Sequence, residues 1–474
     1  MSTARSVVVL AAGMGTRMKS AHPKMLHPML GRTLLGHVLF AADALAADNT
    51  LVVVGQAADQ VTAHLGRIAP DARTAMQAEQ RGTGHAVRIA MDAAPDLSGT
   101  VVVLYGDTPL LRGETLEGLM SAHEESGAAA TVLTAEVPDP TGLGRILRDT
   151  GGRIVGIVEQ RDATPEQLAI REINSGIYAF DAGLLREMLS KLSTDNDQGE
   201  EYLTDVLGFL VEEGHPVHNY AAPDALDTLG CNDRAQLAEL RQIMQGRINT
   251  ALMRSGVTMD DPATTWIDAT VTVEPDVTIR PGVQLLGTTT VSTGAEVGPD
   301  STLKDTVVGA RAKVIRAHSD SAAIGTAAQV GPFAYLRPGA SVGDTAKVGT
   351  YVEIKNSTLA EGAKVPHLSY VGDASIGAGA NIGAGTIVAN YDGVAKHHTE
   401  VGEAVFVGSN SVLVAPVTIN DGSYVAAGSA INGEVPSEAL GVARGRQHNV
   451  EGWVARKRPG TKTAEAAERA KKTE

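Results

Sequence analysis

The sequence predicts two architectures in one chain: an α/β N-terminal domain with a mostly parallel sheet, and an all-β C-terminal parallel β-helix of hexapeptide repeats, joined by a helical arm. Three observations carry this. In the N-terminal half, apolar β-rich runs alternate with helical patterns. From about residue 265, aliphatic residues recur every six positions. Glycine is 52 of 474 residues while aromatics are only 3%, as expected of many short strands packed by small aliphatics.

The apolar runs are Ser6–Leu10, Thr50–Gly55, Thr100–Tyr105 and Ala130–Val137, with helical patterns between them over Leu34–Ala47 and His85–Ala94. A parallel sheet binds ligands at the carboxyl ends of its strands, so functional residues should follow these runs directly. The segment 232–253 predicts one amphipathic helix, with Leu237, Leu240, Ile243, Met244 and Ile248 at helical spacing. The six-residue series then runs Val273, Ile279, Leu285, Val291, Val297, Leu303; again Ile324, Val330, Leu336, Val342, Val348, Ile354; and again Val401, Val407, Leu413, Ile419, Val425, Ile431. The pairs Val365/Val371 and Ile376/Ile382 keep the period after small slips. Each hexad reads as a short strand plus a corner, with the aliphatic inward and a small residue permitting the corner. Three hexads make one coil of 18 residues and the repeat region about ten coils, stacked ~4.8 Å apart. The segment 388–400 breaks the period and must leave the prism as a loop. A polar, basic tail rich in Ala and Lys closes the chain and reads as flexible or partly helical. The domain reading is therefore 1–231, a linker with a long helix at 232–262, the β-helix at 263–440, and a tail at 441–474.

Composition excludes several classes. With 40 Lys+Arg against 55 Asp+Glu the net charge is −15, which argues against nucleic acid as a partner. The apolar stretch near the start, Val7 to Ala12, is far too short to span a membrane or to form a secretory core. The single cysteine, Cys231, allows no intrachain disulfide. These features predict a cytoplasmic protein without membrane contact.

Chemistry concentrates directly after the first strand, in Leu10-Ala11-Ala12-Gly13-Met14-Gly15-Thr16-Arg17, with Pro23-Lys24 shortly beyond. Small residues and two glycines let backbone N–H groups approach a polyphosphate. Arg17 and Lys24 add charge that can stabilise a phosphoryl transition state and a pyrophosphate leaving group. The spacing fits neither a dinucleotide fingerprint nor a Walker loop, and the glycines alone would equally describe a plain tight turn. Asp107 ends a strand, where a carboxylate can hold Mg²⁺ on a triphosphate; with Thr108-Pro109 following, it could instead cap a helix.

The run L-A-A-G-M-G-T-R…P-K resembles the signature of sugar-nucleotide pyrophosphorylases. Further segments resemble the bifunctional members that carry both an N-acetylglucosamine-1-phosphate uridylyltransferase and a glucosamine-1-phosphate N-acetyltransferase. Residues 77–86 (QAEQRGTGHA) look like the base- and sugar-recognition loop, and Tyr105-Gly106-Asp107 follows a strand. Residues 142–146, 156–159 and 172–176 look like sugar-phosphate contacts, and Gly230-Cys231-Asn232-Asp233-Arg234 matches the segment with the metal-binding asparagine. The likeness covers roughly residues 5–450. It implies a Rossmann-like nucleotidyltransferase fold and a left-handed β-helix, the handedness coming from the resemblance and not from the repeat. It implies substrate contacts at Leu10, Ala11, Ala12, Gly13, Lys24, Gln77, Gly82, Thr83, Tyr105, Gly144, Glu159, Asn174 and Asn232, Mg²⁺ on Asp107 and Asn232, and catalytic roles for Arg17 and Lys24. The substrates it implies are UTP and N-acetylglucosamine 1-phosphate.

Within the repeats, the residues that do not repeat are the informative ones. His367 is the residue type that takes a proton from an attacking amine, although a surface imidazole at a corner reads the same way in isolation. The resemblance makes His367 the general base for acetylating glucosamine 1-phosphate from acetyl-CoA. Proline at Pro366 departs from the glycine found in a related member and leaves the orientation of the imidazole open. By the same resemblance, Arg337, Lys355, Tyr370, Asn381, Asn390 and Tyr391 contact the amino-sugar phosphate. Acetyl-CoA contacts fall to Ala384, Asn390, Tyr391, Ser409, Ala427 and Arg444, where small side chains suit a thin pantetheine arm. Related domains form homotrimers, and Trp453 is expected at a subunit boundary or on the CoA adenine. His397-His398 near Glu400 is a weak metal pattern.

Two other readings share these residues. One is a single-activity pyrophosphorylase whose β-helix is regulatory or oligomerising. The other is a non-catalytic trimeric scaffold, against which Arg17, Lys24 and Asp107 speak.

Overall fold

A computed structural model describes residues 4–196 and 199–472. The chain forms two compact units that divide after Thr290. The first is built on a central sheet of β1 (Arg5–Leu10), β2 (Asn49–Val54), β3 (Arg73–Met76), β4 (Thr100–Tyr105), β5 (Ala130–Glu136), β6 (Glu172–Asp181) and β7 (Val217–Ala221), in the order β7-β5-β6-β4-β1-β2-β3. All pairings along this order are parallel except those of β6, which runs antiparallel to both β4 and β5. A hairpin, Gly144–Arg148 with Ile154–Val158, extends from β6. Strand order reverses between β1 and β4, and the carboxyl ends Leu10 and Tyr105 lie side by side there. That reversal opens a crevice for a ligand.

The inner strands are apolar on both faces, which is why they read as continuous runs. Val8, Leu51, Val101 and Val103 pack on one side with Val87, Ala90, Leu185 and Leu207. Val7, Val9, Val52 and Val102 pack on the other with Leu35, Val38, Leu116 and Leu119. The expected helix over Leu34–Ala47 stops at Ala42, and Asp43–Leu45 tightens into a 3₁₀ turn ended by Ala46 at φ 45. The helix expected at 232–253 spans Arg234–Arg254, capped by the Asp233 carboxylate on the N–H groups of Ala235 and Gln236. It is less amphipathic than the spacing suggests. Leu237 and Leu240 are buried, but farther on the buried residues are Gln245 and Asn249 rather than Met244 and Ile248. Gln245 Nε2 donates to the carbonyls of Pro262, Ala263 and Thr265, and Asn249 Nδ2 to those of Pro262 and Thr265, at 2.7–3.2 Å. Polar side chains are buried here because a turn of backbone would otherwise lose its acceptors' partners.

The same unit carries the first hexad strands, such as Trp266–Ile267 paired in parallel with Gln284–Leu286. In the second unit the pattern continues to Leu440–Gly441 as a parallel β-helix: each short strand pairs in parallel with the strand one coil on, as in Val297 with Val314 and Val330 with Val348. Every aliphatic of the six-residue series is buried. The role expected of small residues at corners needs correction. Residues in the left-handed region include Arg316, Phe333, Tyr351 and Leu368, so corner conformation does not require glycine. Glycine is needed where coils touch: a Cβ on Gly343 would lie 2.6 Å from the carbonyl oxygen of Leu359. The tail contains helices at Trp453–Lys457 and Lys462–Lys471.

Asn249→Ala is expected to cost about 2 kcal/mol, the order of a buried acceptor losing its donor. It should lower the urea midpoint followed by tryptophan fluorescence, since Trp266 adjoins Thr265. An unchanged midpoint would mean that Gln245 alone holds these carbonyls.

Candidate active sites

The crevice at the ends of β1 and β4 is a cavity of about 320 Å³. Leu10, Ala12, Gly13, Arg17, Lys24, Gln77, Gly82, Thr83, Tyr105, Asp107 and Asn232 all line it. Ala11 lines an adjoining hollow with Ala12 and Gly13. A larger cavity of about 1260 Å³ elsewhere in this unit is walled by Arg32, Phe40, His64 and Trp266, among others, and holds none of the predicted residues.

Backbone constraints bring the charged groups together. Gly15 lies in the left-handed region at φ 62, and a Cβ there would fall 2.4 Å from the Lys24 Cβ. The Lys24 stem therefore passes over the loop only because position 15 is glycine. The N–H of Cys231 donates to the Asp107 carbonyl at 2.9 Å, setting Asn232 beside Asp107. No helix starts at Asp107; the next begins at Gly113, so the capping role does not apply. Lys24 Nζ is paired with Asp107 Oδ2 and donates to Asn232 Oδ1 at 3.1 Å. Arg17 Nη2 donates to the same Asn232 oxygen at 2.8 Å. A carboxylate and an amide oxygen thus converge on one ammonium, a donor set of hard oxygens that also suits Mg²⁺. Among the described residues no group of three or more His, Cys, Asp or Glu could hold a metal, so water and phosphate oxygens would complete the shell.

The loop at residues 77–86 is braced from inside and outside. Gln77 is buried and donates to the Gly82 carbonyl at 3.1 Å. Gln80 Nε2 donates to the Ala12 carbonyl at 2.5 Å, linking this loop to the first. Glu201, which sequence reading missed, clamps it from a distant segment. Its backbone bonds Arg81 and Gly84, and its carboxylate accepts from Arg88 at 2.5 Å and faces Arg81 at 3.7 Å.

Gly144, Glu159 and Asn174 form a second group. Gly144 pairs with Asn174, and a Cβ on Gly144 would lie 3.5 Å from Glu159 Oε1. Burial, with Asp162 and Asp205 nearby, raises the Glu159 carboxyl above the usual carboxylate range. Tyr105 joins the two groups: it is hydrogen-bonded to Thr83, and burial, with the Glu159 charge, raises its phenol.

In the second unit, residues far apart in sequence become neighbours one coil apart. Glu353 pairs in register with both Tyr335 and Tyr370, and Arg337 donates to its carboxylate at 2.8 Å. Lys355 lies 3.2 Å from Asp373 Oδ2, to which Asn390 Nδ2 donates at 2.5 Å. Asn390 also reaches the Tyr370 hydroxyl at 3.4 Å. Lys355 and Asn390 thus meet on Asp373, and Arg337 on Glu353 beside Tyr370; sequence reading selected neither acid. Burial works against the Asp373 charge, but hydrogen bonds from Asn356, Asn390 and Lys355 hold its carboxyl below the usual range.

The excursion is shorter than the expected 388–400, because Ile387–Ala389 and Thr399–Val401 remain hexad strands. The loop at residues 390–398 lengthens one coil: Ile382 pairs with Val407, where other coils of this unit step by 16 to 18 residues, as in Val314 with Val330, Ile354 with Val371 and Val330 with Val348. It folds on itself through a Tyr391–Lys396 bridge and a His397–Asp392 contact at 2.7 Å. The fold-back brings Lys396, also missed, against Lys355; that hydrogen bond and the Lys355 charge lower the Lys396 ammonium pKa. Tyr391 is exposed on this loop. His398 bonds Ser375 and faces Glu400, which accounts for it without a metal.

His367 ends the strand Lys364–His367, is exposed, and stands beside Thr350 of the preceding coil. Asn381 sits on the next strand of the same sheet, paired with Lys364, and not in the Asp373 cluster. Ala384, Ser409 and Ala427 fall one coil apart, linked by bonds from Asn410 to Ala384 and from Gly428 to Ser409. Arg444 Nη1 donates to the Ala427 carbonyl at 3.0 Å, ending this column of small residues with a cation. Trp453 is exposed with Arg458 over its ring.

A model of the MobA-like NTP transferase domain matches residues 7–245, and one of the GMPPB C-terminal domain matches residues 318–432. The chain is 58% identical over 465 residues to a protein of Streptomyces avermitilis named bifunctional protein GlmU, covering 98% of this chain and 96% of that one. Proteins of the same name from Streptomyces coelicolor and Thermobifida fusca are 56% and 54% identical; they cover 98% and 99% of this chain, and 96% and 99% of their own lengths is matched. The chain belongs to the bifunctional GlmU family. As a family member it is a bifunctional enzyme with an N-terminal nucleotidyltransferase domain and a C-terminal left-handed β-helix. No helix among the described residues is long and apolar enough to cross a membrane.

The position of His367 depends on close coil contact. A Cβ on Gly349 would fall 1.9 Å from the Pro366 carbonyl oxygen. Gly349→Ala must push Pro366-His367 outward. We expect it to lower acetyl transfer at least tenfold while nucleotidyl transfer stays within twofold, both assayed on the same preparation.

Proposed function

We infer that this GlmU-family chain acetylates glucosamine 1-phosphate with acetyl-CoA, then couples N-acetylglucosamine 1-phosphate to UTP, releasing pyrophosphate and UDP-N-acetylglucosamine. The observation that carries this reading is the presence of two separate polar clusters, each in the chemistry its reaction requires. We read the functional domains as 1–231 and 263–440, with 232–262 as linker and 441–474 as tail, and the location as the cytoplasm.

In the N-terminal site, Leu10, Ala11, Ala12 and Gly13 present backbone to the triphosphate. Gln77, Gly82 and Thr83 receive the base. Gly144, Glu159 and Asn174 hold the sugar, with Tyr105 between the two groups. Asp107 and Asn232 would hold Mg²⁺, which when bound neutralises charge on the triphosphate. Arg17 and Lys24 stabilise the charge that develops as the sugar phosphate oxygen attacks the α-phosphorus and the bond to pyrophosphate breaks. No protein nucleophile is required, since the attacking phosphate is already ionised.

In the C-terminal site, Arg337 and Lys355, with Lys396, supply cations for the sugar phosphate. Tyr370, Asn381, Asn390 and Tyr391 orient the amino sugar. His367 accepts the amine proton as nitrogen attacks the thioester carbon and the C–S bond breaks, leaving CoA as thiolate. Ala384, Ser409 and Ala427 leave room for the pantetheine arm, on which Asn390 and Tyr391 also bear, and Arg444 supplies charge at its end. A homotrimer fits the surface beside His367. Phe333 and Tyr351 are exposed and stacked at 5.3 Å, with exposed Leu368 in the same corner column, an apolar strip that a second copy would cover.

Mass spectrometry of products tests the assignment. With glucosamine 1-phosphate, acetyl-CoA, UTP and Mg²⁺, UDP-N-acetylglucosamine should form. Asp107→Ala should stop at N-acetylglucosamine 1-phosphate, and His367→Ala should yield nucleotide sugar only when acetylated sugar phosphate is supplied. Acetylation surviving intact in His367→Ala would remove the base assignment.

Glu159 adds a pH signature. Its raised pKa means that it takes up a proton at a higher pH than an ordinary glutamate, ~4.3. If its carboxylate accepts the sugar hydroxyls, KM for N-acetylglucosamine 1-phosphate should rise as pH falls toward that raised value. Glu159→Gln should show a higher KM with that pH dependence lost.

A further inference from the structure

We propose that Lys24 occupies the cation position of the nucleotide site, so that metal binding and nucleotide binding are coupled through the departure of its ammonium from Asp107. This rests on the reading of Asp107 and Asn232 as metal ligands.

The geometry is specific. Lys24 Nζ is paired with Asp107 Oδ2 and is 3.1 Å from Asn232 Oδ1, so it takes up one oxygen of each residue that would hold the metal. Both partners are shielded, with 9% of the Lys24 and 17% of the Asp107 side chain exposed. Among the described residues, Asp107 is the one carboxylate with which Lys24 forms an ion pair. Arg17 already bonds Asn232 Oδ1 at 2.8 Å, so the amide has little further capacity. Two cations cannot share one small carboxylate without strong repulsion in a shielded site. A free divalent ion must therefore compete with an ammonium tethered at high effective concentration.

Release is built into the same loop. The Lys24 stem is pinned against Gly15 and the 3₁₀ turn Lys24–Leu26, which leaves the ammonium as the part that can turn. A triphosphate laid on residues 10–13 brings anionic oxygen to this cavity, giving the Lys24 ammonium a second anion to bind. Once Lys24 turns to phosphate, Asp107 and Asn232 are free for the metal. Such coupling is reciprocal: metal and nucleotide each raise the affinity for the other. The ion pair also holds Asp107 in place before substrate arrives.

The test is Mn²⁺ binding to the full chain without nucleotide, read by electron paramagnetic resonance of the free ion. Lys24→Met and Lys24→Gln should each bind Mn²⁺ at least tenfold more tightly than the unmodified protein. Adding Asp107→Asn to either should abolish the gain. Unchanged or weaker Mn²⁺ binding in both variants would overturn the proposal. A gain that survives Asp107→Asn would instead overturn the metal reading, and the proposal with it. A measurement on the unmodified protein guards against misfolded variants. Amine-reactive labelling of Lys24, read by mass spectrometry, should be slow without Mn²⁺ and should rise when Mn²⁺ saturates the site. Labelling insensitive to Mn²⁺ would also overturn the proposal.

Discussion

The β-helix half rests on one constraint, the parallel stacking of very short strands in register. Each coil contributes a single residue to any given position on the surface, and the next coil sets another directly above it. Glu353 therefore meets Tyr335 on one side and Tyr370 on the other, and Lys355 lies across from Gly372 beside Asp373. Side chains 17 or 18 residues apart become a binding surface without any one segment resembling a motif. Close stacking also decides where glycine is obligatory, because the backbone of one coil occupies the space that a Cβ on its neighbour would need.

The nucleotide half follows a different rule and arrives at a comparable density of charge. Parallel strands end on the same side, and the reversal of order between β1 and β4 leaves room for a ligand there. Loops from widely separated segments are then drawn in by backbone bonds, such as Cys231 to Asp107 and Glu201 to Arg81 and Gly84. The cations and the carboxylate of the site are consequently partnered before any substrate is present. That keeps a shielded group of charges from standing uncompensated.

Much of this was legible in sequence because it depends on period and on position after a strand. The aliphatics of the six-residue series are all buried, and eleven of the predicted residues line one cavity. What escaped notice depends on three-dimensional return. Asp373 looks like an ordinary corner acid until Lys355, Asn356 and Asn390 converge on it. Lys396 gains its place only when the loop folds back, and Glu201 acts across more than a hundred residues on Arg88. Gln245 and Asn249 went unread for a different reason: helical periodicity assigns buried positions to apolar residues, and here buried carbonyls of the following turn demanded amides. The helix after Thr33 ended early because Ala46 turns left-handed, which no apolar spacing could announce.

The loop at 390–398 closes on itself through Tyr391, Lys396, His397 and Asp392 and leaves the hexad pairing on either side intact, with Ile387 on Val412 and Thr399 on Val417. The excursion leaves the backbone pairing of the prism undisturbed while its side chains reach back to the coils, Asn390 to Asp373 and His398 to Ser375. Its outward positions, such as the exposed Val394, can change without touching the inward aliphatics. A new acyl acceptor could therefore be explored through one short segment, set against site residues fixed on the coils, without risking the scaffold.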